Sequence, residues 1–453
     1  MAKNVLFLLV DSLRSDKVFQ NKNSQIPNIK NLIKTGTSFS QTISSSDSTL
    51  ISIVSMFTGM HPFKTGIRSE RFNKLQNNIT TLFQIFSNYG YNQYSYQPTV
   101  TQTIGLFPNF KNSDNSYDYH NDLDDGLGKQ IIDKFTSGYL KEPWFFYIHF
   151  NDLHFPITVQ KEFDDEKYGT SNYEKQLSSI DVWIGKILEQ IDLENTLVIL
   201  TADHGVFIPH LEINGKKINF EINGKEQINK TKLGNKIPSF LNPIKTKVFF
   251  SLEKKKKQKK LDLLNSLNLK PHEKRSLLWQ RTDLDRVLFD DNVHVPLIFA
   301  GHKIPKNKSI SQLVRTIDVL PTILDILEID LTEKIDGQSI FPLMNKEKID
   351  EIPAYMETTP LIEKKANEVI GIRTSQYKYF RDREDTSKRI HLYDLIKDSF
   401  EDKNLGSNRF DLIEKLESTL QQILNENNLH ENDQISEEES EEIEKELKKL
   451  GYD

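Results

Sequence analysis

The chain has 453 residues, of which 37% are hydrophobic and 27% are charged, so it is long enough for one large α/β core with additions or for two domains. Its 65 acidic and 59 basic residues give a net charge of −6, which argues against a general nucleic-acid binder. It contains no cysteine, which excludes disulfides, thiolate metal sites and cysteine nucleophiles.

The first apolar run, Val5 to Val10, stops at Asp11. It is too short for the core of a signal peptide or for a membrane span, and it fits a buried parallel strand that ends on a carboxylate. No later stretch approaches the length of a spanning helix. The sequence therefore predicts a cytoplasmic protein without a signal peptide or a membrane span.

Short apolar runs alternate with amphipathic segments along the chain. The predicted strands are 4–11, 144–150, 196–205 and 295–301, and the predicted helices are 26–36, 80–90 and 173–192. This alternation predicts the α/β class, with a mostly parallel central sheet and helices on both faces.

Polar residues follow the ends of these strands: Asp11, then the segment from His149 to His154, then Asp203 and His204. In a parallel sheet the carboxyl ends of the strands form the ligand-binding edge, so these residues are candidates for an active site. Carboxylate and imidazole ligands suit zinc, manganese, magnesium or calcium. For Asp203-His204-Gly205 alone, a helix cap beside an ordinary histidine is an equal alternative; Asp11 as a third candidate ligand favours the metal.

A second candidate feature is the stretch "SSSDSTLISIVSMFTG" at 44–59. Its apolar residues have helical periodicity, and Asp47, Ser48 or Thr49 could cap the helix. A hydroxyl there lies beside free backbone N–H groups at the positive end of the helix, which suits a tetrahedral anion. The hydroxyl is either a nucleophile activated by a metal or a cap without chemistry.

Residues 207–285 differ from their surroundings and are interpreted as an insertion beside the site. The segment contains EINGK twice, which predicts a β-hairpin with Asn-Gly turns, and a lysine run that is either a solvated helix face or a site for an anionic polymer. Residues 356–408 predict a small C-terminal α+β subdomain with antiparallel strands, and 409–453 predict a helical, acidic tail.

Several motifs, in the same order, are similar to those of the sulfatase family within the alkaline-phosphatase superfamily. They are NVLFLLVDSLRSD, IPNIKNLIKTGTSFSQTIS, STLISIVSMFTGMHPFKTGI, PWFFYIHFNDLHFP, LVILTADHG, DDNVHVPLIFAG, RTIDVLPTILDIL, IDGQSIFPLM, GIRTSQYKYF and HLYDLIKDSFEDKNL. The chain is identified from them as a member of this family. The resemblance implies an alkaline-phosphatase-like catalytic domain over residues 1–355 that acts on an ester bound to a divalent metal ion.

Residue by residue, the resemblance assigns four metal ligands, which are Asp11, Thr49, Asp203 and His204. Thr49 falls at the nucleophile position. His154 matches the histidine that contacts the substrate anion, and it is a second catalytic candidate because it could protonate the leaving alcohol. Two further residues are substrate-binding candidates by position alone, namely Arg286 and His294.

The chain departs from the sulfatase pattern at the nucleophile. Sulfatases convert a Cys or Ser to formylglycine within a Cys/Ser-x-Pro-x-Arg signature, whereas this chain has Thr49, Ile51 and Ile53. A secondary alcohol cannot give an aldehyde on oxidation, so the formylglycine route is in doubt. Ser12 replaces a second aspartate, which weakens the case for calcium. A threonine with one metal resembles the phosphoethanolamine and phosphoglycerol transferases of the superfamily.

These observations predict a metal-dependent hydrolase or transferase that cleaves a phosphate or sulfate ester through Thr49, with the phosphoester favoured chemically. The expected substrate is a small-molecule or glycan ester. One alternative is a sulfuric ester hydrolase that acts without formylglycine. The other is a non-catalytic binding protein with a retained metal site.

Overall fold

A mixed sheet of nine strands lies at the centre of the described part of the chain. The computed structural model describes residues 3–67, 75–76, 78–107, 110–117, 123–213, 215–221, 255, 258–279, 285–359 and 368–425. The strands are β1 (Asn4–Val10), β2 (Gly36–Ile43), β3 (Asn92–Pro98), β4 (Ser116–Tyr117), β5 (Trp144–Phe150), β6 (Thr196–Thr201), β9 (His294–Gly301), β10 (Lys308–Ile310) and β11 (Val314–Arg315). Their order is β10-β2-β9-β6-β1-β5-β3-β4, and β11 pairs with β2. Only β9 runs antiparallel to its neighbours within this described sheet, so the predicted mostly parallel sheet is confirmed.

Helices cover both faces of this sheet, as the sequence predicts. The helices whose two ends lie in the described residues are α1 (Ser15–Phe19), α2 (Pro27–Thr35), α3 (Thr49–Thr58), α4 (Pro62–Thr65), α5 (Leu82–Asn88), α6 (Leu127–Thr136), α7 (Asn172–Leu188), α8 (Pro271–Leu278), α9 (Asp290–Val293), α10 (Val319–Ile326), α11 (Phe341–Met344) and α12 (Phe410–Asn425). None of the helices in the described part of the chain combines the length and the apolar character that crossing a bilayer requires.

Strand β1 is buried on both faces because helices cover the sheet on either side. Val5, Phe7 and Leu9 face one core, where α3, α5 and α10 contribute apolar side chains. The alternate residues face a second core, where α2 and α7 pack. Two helical layers therefore fix the sheet, and the strand ends are left to form a site.

The carboxyl ends of β5, β1 and β6 meet at one edge of the sheet. The parallel register pairs Leu9 with His149 on one side and with Thr201 on the other. The residues that follow these positions, including Asp11 and Asp203, are consequently neighbours. This register positions the site.

The predicted insertion contains a hairpin of β7 (His210–Ile213) and β8 (Lys216–Asn219). Gly215 has φ +75° in the connecting turn, which a glycine adopts without strain. This hairpin contains the first EINGK sequence. The second copy begins at Glu221 and continues outside the described residues, as do Lys254, Lys256 and Lys257 of the lysine run.

A four-stranded antiparallel sheet forms the predicted C-terminal subdomain, with the order β12 (Ala354–Glu357), β13 (Val369–Arg373), β14 (Tyr377–Asp382) and β15 (His391–Asp394). Helix α12 packs on it through Leu412, Leu416 and Leu420. The acidic residues beyond 425 lie outside the described residues, and the boundaries of the predicted domains stay a prediction.

The small sheet contacts the loop that precedes α3. Glu357 donates its backbone N–H to the Ser45 carbonyl at 3.0 Å, and Thr359 donates its backbone N–H to Asp47 Oδ1 at 2.8 Å. The hydroxyls of Ser46 and Thr359 lie 3.2 Å apart. The C-terminal sheet therefore supports the segment that leads into Thr49.

A buried ion network joins the same sheet to the main domain. Lys378 Nζ is fully buried, lies 2.7 Å from Glu401 Oε1 and pairs with Asp290, which also binds Arg373 at 3.0 Å. Burial raises the pKa of Glu401 to about 7. Removing the lysine would leave a buried carboxyl without its cation, which is costly in a low-dielectric interior.

We expect Lys378→Met to lower the free energy of unfolding by about 3–5 kcal/mol, measured by urea denaturation. Adding Glu401→Gln should recover part of the loss, because the orphaned carboxyl is then neutral. Lys397→Met is the control, since Lys397 pairs with Asp394 at the surface with its side chain 82% exposed. A similar loss in both single variants would contradict the network's role.

Candidate metal and nucleophile site

The four residues predicted to bind metal meet at the carboxyl edge of the sheet. Thr49 Oγ1 donates to Asp11 Oδ2 at 3.1 Å and lies 3.3 Å from His204 Nε2. His204 Nε2 lies 3.6 Å from Asp203 Oδ2. All four side chains are buried, so the structure brings the predicted set into one cluster.

His149 belongs to the same cluster, although sequence reasoning placed it only among the polar residues at the strand ends and did not assign it as a metal ligand. Its Nε2 lies 3.5 Å from Asp11 Oδ2, and its ring is fully buried. One ligand atom from each of Asp11, His149 and Asp203 lies within 4.8 Å of the others. The available signal was the position of His149 at the end of a strand; because every residue of that strand is buried, the sequence does not reveal which side chains reach the site.

Backbone and hydroxyl groups orient the two carboxylates. Asp203 Oδ1 accepts the N–H groups of Ser12 at 3.1 Å and His204 at 2.8 Å, and Asp11 Oδ1 accepts the Ser12 hydroxyl at 2.6 Å. Ser12 has φ +62°, a strained conformation for a residue other than glycine that is typical of functional sites. These contacts use the Oδ1 atoms and leave the Oδ2 atoms for the cluster.

The donors that remain fit a divalent cation. Within the described ranges, Asp203 Oδ2 and His149 Nε2 are buried and have no hydrogen-bond partner, which is costly unless another ligand satisfies them. Carboxylate, imidazole and hydroxyl groups are the ligand types of zinc, manganese and magnesium sites. The cluster therefore suits a metal ion of uncertain identity.

The electrostatics of the cluster are those of negative charges held close together. Burial and the neighbouring charge of Asp11 raise the pKa of Asp203. Burial also opposes ionisation of Asp11, but the contact with His149 and the charges of His154 and His204 outweigh it and lower the pKa of Asp11. Burial disfavours the charged form of His204, yet Asp203 and Asp11 raise its pKa.

The Asp-His-Gly turn orients His204. Nδ1 of His204 lies 2.7 Å from the Gly205 carbonyl, so a proton on Nδ1 leaves Nε2 free to face Thr49. A Cβ at Gly205 would lie 2.3 Å from the carbonyl oxygen of Asp291, so the close approach of these two segments requires glycine.

Thr49 differs from the other hydroxyl residues between positions 44 and 52. It is the first residue of the helix, and the Ser48 side chain that precedes it makes no capping hydrogen bond. Ser44 and Ser52 instead lie 3.0 Å apart, with Ser44 donating to the Asp203 carbonyl and Ser52 to the Ser46 carbonyl. These serines hold the loop together, whereas Thr49 faces the cluster.

The three remaining site candidates lie in different surroundings. His154 is partly buried and follows β5, and its positive charge helps to lower the pKa of Asp11. Arg286 Nη2 lies 3.4 Å from Asp47 Oδ2, near the start of α3. His294 Nε2 donates to the Ser40 carbonyl at 2.7 Å, and its Nδ1 lies 3.6 Å from Asp290. These contacts give His294 a structural role, and its predicted contact with substrate stays a prediction.

Comparison with known proteins supports the identification made from the motifs. Residues 3–329 match the sulfatase family, and residues 282–429 match the C-terminal family of N-sulphoglucosamine sulphohydrolase. Arylsulfatase K of Gallus gallus is 28% identical over 144 residues, which are 30% of this chain and 27% of that protein, so the match spans about a quarter of this curated relative.

Two solved structures have the same fold at low sequence identity. The phosphonate monoester hydrolase of Agrobacterium radiobacter has a TM-score of 0.63 and 15% identity over 93% of this chain and 96% of its own. A protein solved in complex with its substrate D-glucosamine-2-N,6-O-disulfate has a TM-score of 0.65 and 14% identity over 96% of this chain and 100% of its own. The predicted alkaline-phosphatase-like fold is confirmed.

We expect Asp203→Asn to raise the melting temperature of the metal-free protein, because it removes one of two neighbouring buried carboxylates. The same change should abolish stabilisation by added zinc or manganese, which for a saturated site is about 2.7 kcal/mol at 100 times Kd. Thermal unfolding with and without metal measures both effects. Asp181→Asn, whose carboxylate accepts backbone N–H groups of α2, is the control and should keep the metal response. Metal stabilisation that survives in Asp203→Asn would contradict the assignment.

Proposed function

Because this chain belongs to the sulfatase family, we propose that it is a metal-dependent ester hydrolase that uses Thr49 as its nucleophile, with a phosphate ester as the favoured substrate. The observation that carries the proposal is the position of Thr49 Oγ1, 3.1 Å from Asp11 Oδ2 and 3.3 Å from His204 Nε2, at the first residue of a helix. A hydroxyl there is close to acceptors for its proton and to the N–H groups that stabilise an anion.

The residues that would hold the metal are Asp11, Thr49, Asp203 and His204. When bound, a divalent ion lowers the pKa of a neighbouring hydroxyl and offsets negative charge on the oxygens of the ester. Asp11 and Asp203, whose neighbouring buried charges repel each other, would be the negatively charged partners of such an ion. The candidate ions are zinc, manganese, magnesium and calcium.

In the first step Thr49 Oγ1 attacks phosphorus in line with the leaving oxygen. The hydroxyl gives up its proton to Asp11 Oδ2, the acceptor of its hydrogen bond, the new O–P bond forms, and the bond from phosphorus to the alcohol oxygen breaks. The product is a phosphothreonine and an alcohol. The positive end of α3 and His154 stabilise charge on the non-bridging oxygens.

His154 is the proposed proton donor to the leaving alcohol. It follows β5 in the short turn where its backbone N–H donates to the Asn151 carbonyl at 3.0 Å. In the second step His154 takes a proton from water as the water oxygen attacks phosphorus. The O–P bond to Thr49 breaks, Thr49 Oγ1 regains its proton from Asp11, and phosphate is released. An acceptor alcohol in place of water would give transfer by the same chemistry.

Threonine favours phosphorus over sulfur as the reacting centre. Its secondary alcohol cannot become the formylglycine hydrate that serves sulfate release, whereas direct attack by an alcohol needs no such conversion. A phosphonate monoester hydrolase shares the fold. A sulfuric ester hydrolase without formylglycine is the second candidate, because the family and the relative that match this chain are sulfatases.

The alcohol part of the substrate is proposed to be a small molecule or a glycan. A structure with this fold holds a glucosamine disulfate. In this chain Trp279 lies 6.4 Å from Phe155, the chain neighbour of His154, and 6.1 Å from the buried Phe207 between ring centroids. Phe155 and Trp279 are partly buried and would contact a ring of the substrate. Arg286 is a further proposed contact to the charge of the substrate, and His294 is the weaker candidate.

The test is a panel of aryl phosphate monoesters, aryl phosphate diesters and aryl sulfates, assayed with each candidate metal. Thr49→Ala should lower kcat by roughly 10³-fold or more, because the covalent step is lost. Ser48→Ala is the matched control and should keep most of the activity. Trapped wild-type enzyme should carry phosphate on the peptide that contains Thr49, which mass spectrometry detects.

Unchanged turnover in Thr49→Ala would refute the nucleophile. Turnover of aryl sulfates alone would favour the second candidate. Metal binding without turnover of any ester would favour a non-catalytic binding protein.

We also expect His154→Ala to lower kcat/KM by about 10²–10⁴-fold for alkyl phosphates, whose leaving alcohols need a proton. For 4-nitrophenyl phosphate the loss should be much smaller, because its leaving group departs as a stable anion. Steady-state kinetics on both substrates measure the difference. An equal loss on both would show that His154 binds the anion without donating a proton.

A further inference from the structure

We propose that Tyr147 orients His149 so that Nε2 of His149 binds the metal together with Asp11 and Asp203. This inference rests on the proposed metal dependence and adds a ligand and a positioning residue to the site. It also selects zinc among the candidate ions.

The first argument is the position of His149 in the sheet. Its register partner on β1 is Leu9, two residues before Asp11, so the imidazole reaches the same edge as that carboxylate. Nε2 lies 3.5 Å from Asp11 Oδ2, too long for a good hydrogen bond. A cation between these atoms would satisfy both.

The second argument is the tautomer. Nδ1 of His149 lies 3.0 Å from the hydroxyl oxygen of Tyr147. When Nδ1 carries the proton and donates it to this oxygen, Nε2 presents its lone pair to the cluster. In the opposite tautomer a buried Nε2–H would meet Asp11 Oδ2 only at 3.5 Å, too long for a good hydrogen bond, which costs free energy.

The third argument is that Tyr147 cannot move easily. Its ring packs against Phe7 at 5.9 Å, Phe57 at 5.3 Å and Phe107 at 5.7 Å between centroids. Residues 147 and 149 are two apart on one strand and therefore share a face. Metal-bound histidines usually donate their second ring N–H to a carboxylate, a backbone carbonyl or water, and the fixed phenol oxygen of Tyr147 would take that acceptor role here.

The added ligand changes which metal the site prefers. His149 and His204 supply two nitrogen donors, beside two carboxylates and the hydroxyl of Thr49. Imidazole suits zinc, whereas magnesium and calcium prefer oxygen ligands. We therefore expect zinc to bind much more tightly than magnesium.

The experiment measures zinc and magnesium affinities of the full chain by calorimetry, with chelator competition for tight binding. Tyr147→Phe should weaken zinc binding by about 10-fold to 100-fold, as loss of an outer-shell partner does. His149→Ala should weaken it at least as much. Magnesium affinity should change far less in both, so the zinc-to-magnesium ratio falls. X-ray absorption of the zinc-loaded protein should lose one nitrogen scatterer in His149→Ala.

Tyr94→Phe is the matched control, because Tyr94 is a buried tyrosine on β3 whose hydroxyl accepts from the Lys141 N–H at 3.2 Å, away from the cluster. It should leave both affinities unchanged. Unchanged zinc affinity in His149→Ala, or an equal loss for zinc and magnesium, would overturn this inference alone. A wild-type chain that binds neither metal would instead refute the proposed metal dependence.

Discussion

Two buried carboxylates, Asp11 and Asp203, lie side by side at the edge of a sheet, and this is the constraint on which the rest of the site depends. Charges of the same sign in a low-dielectric interior repel strongly. Ser12 and His204 reduce this cost because they donate hydrogen bonds to the Oδ1 atoms of the two carboxylates. The Oδ2 atoms are directed into the cluster. A cation is the remaining compensation. The cluster would therefore be more stable with a bound cation than without one.

The scaffold maintains this arrangement through contacts far apart in sequence. The register of β1 with β5 and β6 sets the separation of the ligands. The C-terminal sheet holds the loop before α3 through Asp47, and the ion network around Lys378 ties that sheet to the main domain. The small subdomain therefore contributes to the position of Thr49 although it supplies no ligand among the described residues.

The sequence predicts the part of the site that depends on local pattern. Asp11 and Asp203 follow short apolar runs that fit buried strands, and Thr49 stands where a helical pattern begins, so their elements are predicted from the sequence pattern. His149 could not be assigned, because a strand buried on both faces has no alternation to show where a side chain points. The roles of Asp47 and Lys378 depend on contacts between segments more than 80 residues apart, as Lys378 and Asp290 are, and no local pattern reports these.

The proposed use of Thr49 as an unconverted nucleophile is consistent with how its side chain is held. Its methyl group restricts rotation about Cα–Cβ, so a Thr hydroxyl held by Asp11 and His204 has fewer alternative orientations than a serine hydroxyl has. The surrounding serines bond to backbone carbonyls and to each other, which keeps them from competing for the cluster. For the proposed attack by Thr49, this preorganisation would lower the entropic cost of reaching an in-line geometry. The replacement of the usual nucleophile is therefore compatible with catalysis, provided that the reacting centre accepts direct attack by an alcohol.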